Sequence, residues 1–598
     1  MTKKDDPTPE QVEDFKKLQI ITHEVALRKE IEYVSFLNKL YTEASTYKAQ
    51  LTTNWDSYIR FMRGDHWPKR RPKHKVSAVL NFIAENIERK TALLTDAKPI
   101  PNIVPRSDAF QKTADILNDL MSAVYEGSSF NEGNADLVQN TQILGSGFMG
   151  TLFDRRFDGG KGGAILPSVD PRSVFFDPLV LKSYLLCEGE YFIVEDVWSV
   201  SKAKDVYPKV ADRIKADASI SPFRLTPTQN TGFFSGMVSR IFGDRAASTT
   251  DAIPRVFVRD FWIRDRSIVN GKPEFANMSR KSVLIGDSIL ADDGDNPYND
   301  GEFPYDMLIW HSDLNSGWGW GDVELLQNPQ EQFNKLLATI LENALLMSNA
   351  IWVGDTDALT KEEWNKLNNA PGSFVKKRPG RELRREPGVA LPAYVFQIAN
   401  FLKIGKDELT GMVDVMRGIR TGQVSSGVGI ESLQLAAQAI VRLRARALES
   451  MHTRIGRKLI SRIFQFYEPE KIFEVLKARA SKFDTQIQEI ESELIKPINK
   501  RKEGAWMDVV FTIEPGSSLQ LARQQRRSES INLRKMQVID DRALLEDLQY
   551  PHREDVLKRT EAKRQDEANK EVAEQQPASH AGASTQFPNQ TGGSPAGR

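Results

Sequence analysis

The chain has 598 residues, 40% hydrophobic and 27% charged, which suits a soluble globular protein with several cores and disfavours membrane and fibrous classes. Lys plus Arg and Asp plus Glu each number 81, so no overall positive field draws the protein onto nucleic acid, and any such contact must be local or imposed by geometry. A single cysteine, Cys187, excludes an intrachain disulfide and a cysteine-built zinc site and is read as a buried small hydrophobe.

In chain order, the opening MTKKDDPTPE is polar, without the apolar stretch of a signal peptide, and no later run reaches the roughly 18 apolar residues of a spanning helix. A protein made and kept in cytoplasm is expected. The pattern predicts a helix over about 9–48, with Leu37, Leu40 and Tyr41 at helical spacing. Trp55, Tyr58, Ile59 and Met62 share a second helical face that Gly64 ends, and a Pro- and Lys/Arg-rich loop leads to a helix at about 77–95. Residues 108–144 continue helical, with Ile116, Leu117, Leu120 and Val124 repeating at three and four. The character changes at FMGTLFDRRFDGGKGGAILPSVDPRSVFFDP, where short β-prone runs alternate with glycine and Asp-Pro breaks, and YFIVEDVWSV and RVFVRDFWIRD are strand-like too. This makes a mixed α+β region to about Trp310. Residues 213–253, rich in Ser, Thr, Pro and Gly, read as a long insertion.

Helices return after Trp310. In NPQEQFNKLLATILENALLMSN, Asn328 is the expected N-cap, Pro329 the first helical position and Glu331 the acid three residues on. Phe333, Leu336, Leu337, Ile340, Leu341, Ala344 and Leu345 then form one apolar face. Residues 349–392 interrupt with a strand-like IWV, a short EEWNKL helix and the basic run KKRPGRELRR. A helix over 393–416 and the glycine-rich RGIRTGQVSSGVGIESLQ follow. Residues 431–467 then form a very long helix with Leu448, Met451, Ile455, Leu459 and Ile463 at helical spacing. Charged helices, including 481–503, a β-prone DVVFTIEPG, helices over 519–569 and a polar tail complete the chain.

No motif argues for catalysis. GSGFMG (145–150) has G-x-G-x-x-G spacing, with Asp170 twenty residues further on, but a dinucleotide fingerprint needs a strand before and a helix after it. Here a helix precedes and a strand follows, so the glycines read as a helix stop. No P-loop, H-E-x-x-H or G-x-S-x-G sequence occurs. Asp292 and Asp293 lack calcium-loop spacing and read as part of a solvated turn. No catalytic, cofactor-binding or metal-binding residue is expected. Trp318 and Trp320 are read as packing anchors in preference to a ligand platform. KKRPGRELRR carries Lys376, Lys377, Arg378, Arg381, Arg384 and Arg385 against one acid. Such a run is usually a solvated face, but its position at the tip of an excursion between two helices gives an interaction role equal weight.

Two long helices flanking a small basic excursion, then a glycine stretch, then a very long helix resemble the portal, or head-to-tail connector, proteins of tailed bacteriophages. The stretches WDSYIRFMRGDHW, VLNFIAENIERKTALLTDAKPIPNIVPRS, ILGSGFMGTLFD, VDPRSVFFDP, WGWGDVELLQNPQEQFNKLL and GVGIESLQLAAQ are similar to that family, and their order carries the likeness. The resemblance implies an α+β, predominantly helical ring subunit. Its parts would be a wing over 1–315, a first stem helix over 316–348, a clip over 349–392 and a second stem helix over 393–416. A tunnel loop over 417–430, a long wing helix over 431–467, a wing return over 468–516, a crown over 517–571 and a tail over 572–598 would follow.

It further implies a homododecamer in the virion, at one capsid vertex, assembled in the host cytoplasm, with no membrane association, no cofactor and no enzyme activity. Double-stranded DNA would pass through the ring during packaging and ejection. Its partners would be the terminase large subunit, tail adaptor or head-completion proteins, and capsid and scaffold proteins. The tunnel loop would present Arg417 and Arg420 to the channel, with Gly422, Gly427 and Gly429 permitting its loop conformations, and the six basic residues of 376–385 would form the clip interface. The rival readings are a non-portal virion adaptor and an enzyme subunit of the packaging machine.

Overall fold

The computed structural model describes residues 9–68, 71–72, 75–96, 99–127, 130–217, 253–348, 351–367, 375–386, 389–411, 439–479, 492–513, 520–548, 556–557, 559–560 and 562–564. The chain divides into two compact units, residues 1–478 with 489–522, and residues 479–488 with 523–598. The insertion is outside the described residues from 218 to 252, as are the whole glycine stretch and residues 565–598.

A five-stranded antiparallel sheet organises the first unit. Its strands lie in the order Ile289–Asp295, Ser279–Ile285, Arg255–Arg264, Tyr191–Ser199 and Val174–Phe176. The two strands read from YFIVEDVWSV and RVFVRDFWIRD form its centre, paired from Tyr191 with Ile263 to Ser199 with Arg255. Side chains alternate between faces along such strands. Phe261 and Ile263 therefore pack against Val34, Leu37, Tyr41 and Ala44 of the N-terminal helix Pro9–Thr52. Val256 and Val258 face the other way, against Ala203, Val210 and Ile214. Trp262 shares that second side and joins an aromatic core that includes Trp55, Tyr58, Phe61, Phe148, Phe192, Tyr305 and Trp318. Trp318 is a packing anchor as expected, its ring 5.6 Å from both Trp55 and Phe148 and 4.8 Å from Phe176.

The glycine hexad behaves as a helix stop. Helix Phe130–Leu144 ends at Gly145, whose φ is +87° and where a Cβ would lie 2.1 Å from the Gly319 carbonyl oxygen. Strand Ser146–Gly150 follows, between Tyr305–Ile309 and Ser168–Val169. The β-prone segment near residue 510 is the strand Val509–Ile513, which pairs antiparallel with Pro101–Pro105.

Three expectations need correction. The helix expected at 77–95 is Phe82–Thr95, because the Asn81 side chain caps it by accepting from the Ala84 N–H. Asp292 and Asp293 sit in an edge strand instead of a turn, where Arg280 and Ser282 on the neighbouring strand pair with Asp293. Within the charged helix read over 481–503, the described residues form only single turns at Glu493–Ile495 and Ile498–Lys500, separated by Pro497. In the second unit, Asp541 at the start of helix Asp541–Asp547 pairs with Arg534 and Arg564, each at 2.5 Å.

Candidate functional site

Two helices, Asp322–Ser348 and Tyr394–Thr410, pack together and bracket the excursion between them. The first starts six residues before the expected N-cap, and Pro329 lies inside it. Its ring removes the hydrogen bond that would otherwise reach the Leu325 carbonyl. Tertiary packing holds the preceding turn nonetheless, since Val323 and Leu326 are sealed in the aromatic core and Asp322 is fixed by charge. The second helix stops at Thr410, short of the expected 416, because Gly411 adopts a left-handed cap at φ +69°. A Cβ on Gly411 would meet Ile440 Cδ1 at 2.7 Å, so the cap lies against the start of the helix Ala439–Phe466, and residues 412–438 lie outside the described residues.

The root of this helix pair is built from buried ions. The Asp322 carboxylate, at a helix N-terminus, accepts from Lys90 Nζ at 2.9 Å and from the two terminal nitrogens of Arg444 at 2.6 and 2.7 Å, with His311 Nε2 at 3.3 Å. Burial alone would raise this carboxyl. Hydrogen bonds from His311 and Arg444 and the charges of Lys90 and Arg444 outweigh it and hold Asp322 well below the usual carboxylate range. Burial pulls Lys90 the other way, down to about 8. One anion thus joins three helices: Phe82–Thr95, Asp322–Ser348 and Ala439–Phe466. Helix Phe82–Thr95 also meets the second of the pair, with Lys406 Nζ 4.4 Å from the Phe82 ring centre and 3.9 Å from Glu85.

The long helix is described over Ala439–Phe466, and Leu448, Met451, Ile455, Leu459 and Ile463 are all buried as their spacing predicts. Sequence reasoning missed its polar row. Arg454 and Lys458 both reach Asp306, at 3.1 and 2.8 Å, and Arg462 reaches Asp300 at 2.5 Å. The signal was present as three cations spaced by four, inside an otherwise apolar register. Lys458 also lies 3.2 Å from the Cys187 sulfur, and burial, the largest influence, pushes that thiol up to about 11. Cys187 is thus a half-buried packing residue with little thiolate character.

Away from the root, the apolar face read from the sequence becomes exposed. Phe333, Leu336, Leu337 and Ile340 are half-buried, whereas Leu341, Ala344 and Leu345 are exposed. The partner helix exposes Tyr394, Phe396, Ile398, Phe401 and Ile404, with Phe401 at 73%. Between the helices, strands Ile351–Gly354 and Leu383–Glu386 form an antiparallel pair, and Lys361–Lys366 is a short helix closed by a Thr360–Glu363 capping box.

All six basic residues of the run KKRPGRELRR are exposed. Arg381 lies 3.4 Å from Asp357, Arg384 lies 3.9 Å from Glu386, and Arg385 stacks 5.1 Å from the Trp352 ring centre. Lys377 donates to the Arg381 carbonyl at 3.1 Å. Lys376 and Arg378 are exposed too, and the run is partly balanced by local acids. Arg417, Arg420, Gly422, Gly427 and Gly429 lie outside the described residues. Among the described residues no group of three or more His, Cys, Asp or Glu side chains is placed to hold a metal ion, and no helix is long and apolar enough to cross a membrane.

Comparison with curated proteins finds no match. Among protein families, the one described as phage P22-like portal protein matches residues 38–591, nearly the whole chain. The mixed α+β architecture is consistent with that match, and the chain belongs to the P22-like phage portal protein family.

Proposed function

We propose that this chain is the repeating subunit of a ring at one capsid vertex, through which double-stranded DNA is packaged and later ejected. The observation that carries the reading is the uncovered apolar band on the two packed helices. Large apolar side chains such as Phe401, Tyr394, Leu345 and Leu346 stand more than half exposed on neighbouring helices. A monomer rarely leaves so much contiguous apolar surface in water, and a neighbouring copy repeated around an axis would cover it. On this reading the two helices are the stem, residues 349–392 the clip, and 417–430 a loop at the channel. The first unit is mainly wing and the second mainly crown. Lys376, Lys377, Arg378, Arg381, Arg384 and Arg385 would dock the terminase large subunit and afterwards tail adaptors, with capsid and scaffold proteins held by the wing.

A dodecamer is the expected stoichiometry. The role is mechanical, and the chain itself would hydrolyse neither nucleotide nor DNA. Purified full-length protein should give closed rings in negative-stain images and one high-mass species in native mass spectrometry. Monomer or dimer at every salt concentration would refute the ring. With rings in hand, an in vitro packaging assay separates the two candidate surfaces. Arg381, Arg384 and Arg385 changed to Glu should block motor docking, because like charges meeting at an interface oppose association by several kcal/mol. Arg417 and Arg420 changed to Ala should leave docking intact but impair DNA translocation or retention. Wild-type packaging by both variants would remove these assignments.

A further inference from the structure

The described residues between helices Trp55–Met62 and Phe82–Thr95 are fastened to helix Asp322–Ser348 at two places. The first is a directional chain of hydrogen bonds. The Phe82 N–H donates to Gln330 Oε1 at 2.9 Å, Gln330 Nε2 donates to Asn334 Oδ1 at 3.0 Å, and Asn334 Nδ2 donates to His66 Nδ1 at 2.7 Å. His66 Nε2 then donates to the Phe61 carbonyl at 2.7 Å. A backbone donor fixes one end and a backbone acceptor the other, so every amide orientation and the imidazole tautomer are determined, with His66 neutral and its proton on Nε2. Gln330 and Asn334 are buried, and the His66 ring stacks on Phe61 at 4.7 Å.

The second fastening is Glu342, about two turns beyond Asn334 on the same helix. Its carboxylate accepts from Lys75 Nζ at 3.1 Å and from the Val76 N–H at 3.0 Å, with Arg71 at 3.6 Å. Both fastenings require a group in its unprotonated form.

We propose that residues 64–68 are an acid-released strap on this helix, and that His66 is its trigger. A proton on Nδ1 would face the Asn334 amide N–H with a second donor. Flipping Asn334 moves the conflict to Gln330, and flipping Gln330 moves it to the Phe82 N–H, which cannot turn. The chain therefore breaks instead of rearranging. Among the described residues the charged groups acting on His66 are Asp65 on the strap, itself paired with Arg60 of helix Trp55–Met62 at 2.9 Å, and Glu331 on the helix being strapped. Burial is the largest influence and keeps the imidazole below its usual 6.5, against the pull of the Phe61 carbonyl, Asp65 and Glu331. For a histidine lowered in this way, the fastening is complete above 6.5 and is lost as pH falls through the lowered value. Glu342, also held below its usual range by Lys75 and Val76, would release only in stronger acid.

The test is hydrogen exchange by mass spectrometry on the full-length protein at about pH 7.5 and about pH 5.5, corrected for intrinsic exchange rates. Peptides covering 64–68 should lose severalfold, at most about tenfold, in protection at the lower pH, while helix Tyr394–Thr410 is unchanged. His66→Gln can still donate to Phe61 but cannot be protonated, so its strap should be equally protected at both values. Asn334→Asp offers an acceptor to a protonated His66 and should keep the strap closed at the lower pH. Wild-type protection that does not change with pH, or either variant losing as much as wild type, would overturn the proposal.

Discussion

Asp322→Asn is the sharpest probe of how the helix pair is held to the rest of the first unit. The Asp322 and Lys90 side chains are both fully buried, and Arg444 is 5% exposed. An exposed pair would contribute about 0–1 kcal/mol, but removing one partner of a buried pair leaves an uncompensated charge and destabilises by about 3–5 kcal/mol. Asparagine keeps the volume and one acceptor oxygen, so the lower end, ~3 kcal/mol, is expected. A large assembly often unfolds irreversibly, so the readout should be native-state hydrogen exchange of Phe82–Thr95 and the first turns of Ala439–Phe466. At about 1.4 kcal/mol per tenfold, exchange there should accelerate roughly 100-fold. Adding Lys90→Met removes the stranded cation and should recover part of the loss, giving a coupling of at least about 1 kcal/mol. Acceleration of less than about threefold, or strictly additive effects, would mean that packing holds this junction and that the ion cluster is incidental.

Gly456→Ala should reverse the usual sign of its class. Alanine in a helix interior normally stabilises by up to ~1 kcal/mol, but a Cβ at Gly456 would lie 2.1 Å from the Phe511 ring, so a loss of about 1–3 kcal/mol is expected in the thermal midpoint. An unchanged or raised midpoint would show that the strand Val509–Ile513 can move aside. His452 is fully buried beside Phe130, and neither ring nitrogen has a hydrogen-bond partner among the described residues. Burial holds it down to about 4, so the unfolded chain binds its proton first and stability falls as pH drops from 6.5 toward 4, by roughly 3 kcal/mol. His452→Leu should leave stability at pH 7 within about 1 kcal/mol and flatten the acid limb of the denaturation midpoint against pH. An acid limb of unaltered slope would assign that sensitivity elsewhere.

Much of the helical framework was legible because burial imposes a period. The residues read at three and four spacing on 111–127 and 439–466 are the buried ones, and the two strand-like runs pair as the centre of the main sheet. The glycine hexad was legible for a topological reason, since the order of helix and strand around it excludes a phosphate cradle. What failed was local chemistry set by distant partners. Pro329 is an N-terminal signal in any short window, and only the burial of Val323, Leu326 and Asp322 against residues more than 100 positions away extends the helix through it. The edge strand holding Asp292 and Asp293 was hidden likewise, because ILADDGD shows no sustained apolar alternation and its partner is the strand Ser279–Ile285, from which Arg280 reaches Asp293. The candidate surface was half legible. Periodicity found the apolar face of 333–345, and it takes the fold to separate the half-buried end from the open end.

The zero net charge also changes meaning once the fold is known. Lys90, Arg444, Lys458 and Arg462 are all at most 5% exposed, and the acids sealed with them are Asp322, Asp306 and Asp300. These four cations are held by acids inside the fold and are withdrawn from any contact with DNA. With equal numbers of cations and anions the chain carries no overall positive field to condense on phosphates, and affinity for DNA rises steeply with the number of phosphates neutralised. Weak, salt-screened contact is what a passage for moving DNA requires. The interior pairing that stabilises the long helix and the weak grip proposed for the channel thus draw on the same distribution of charge.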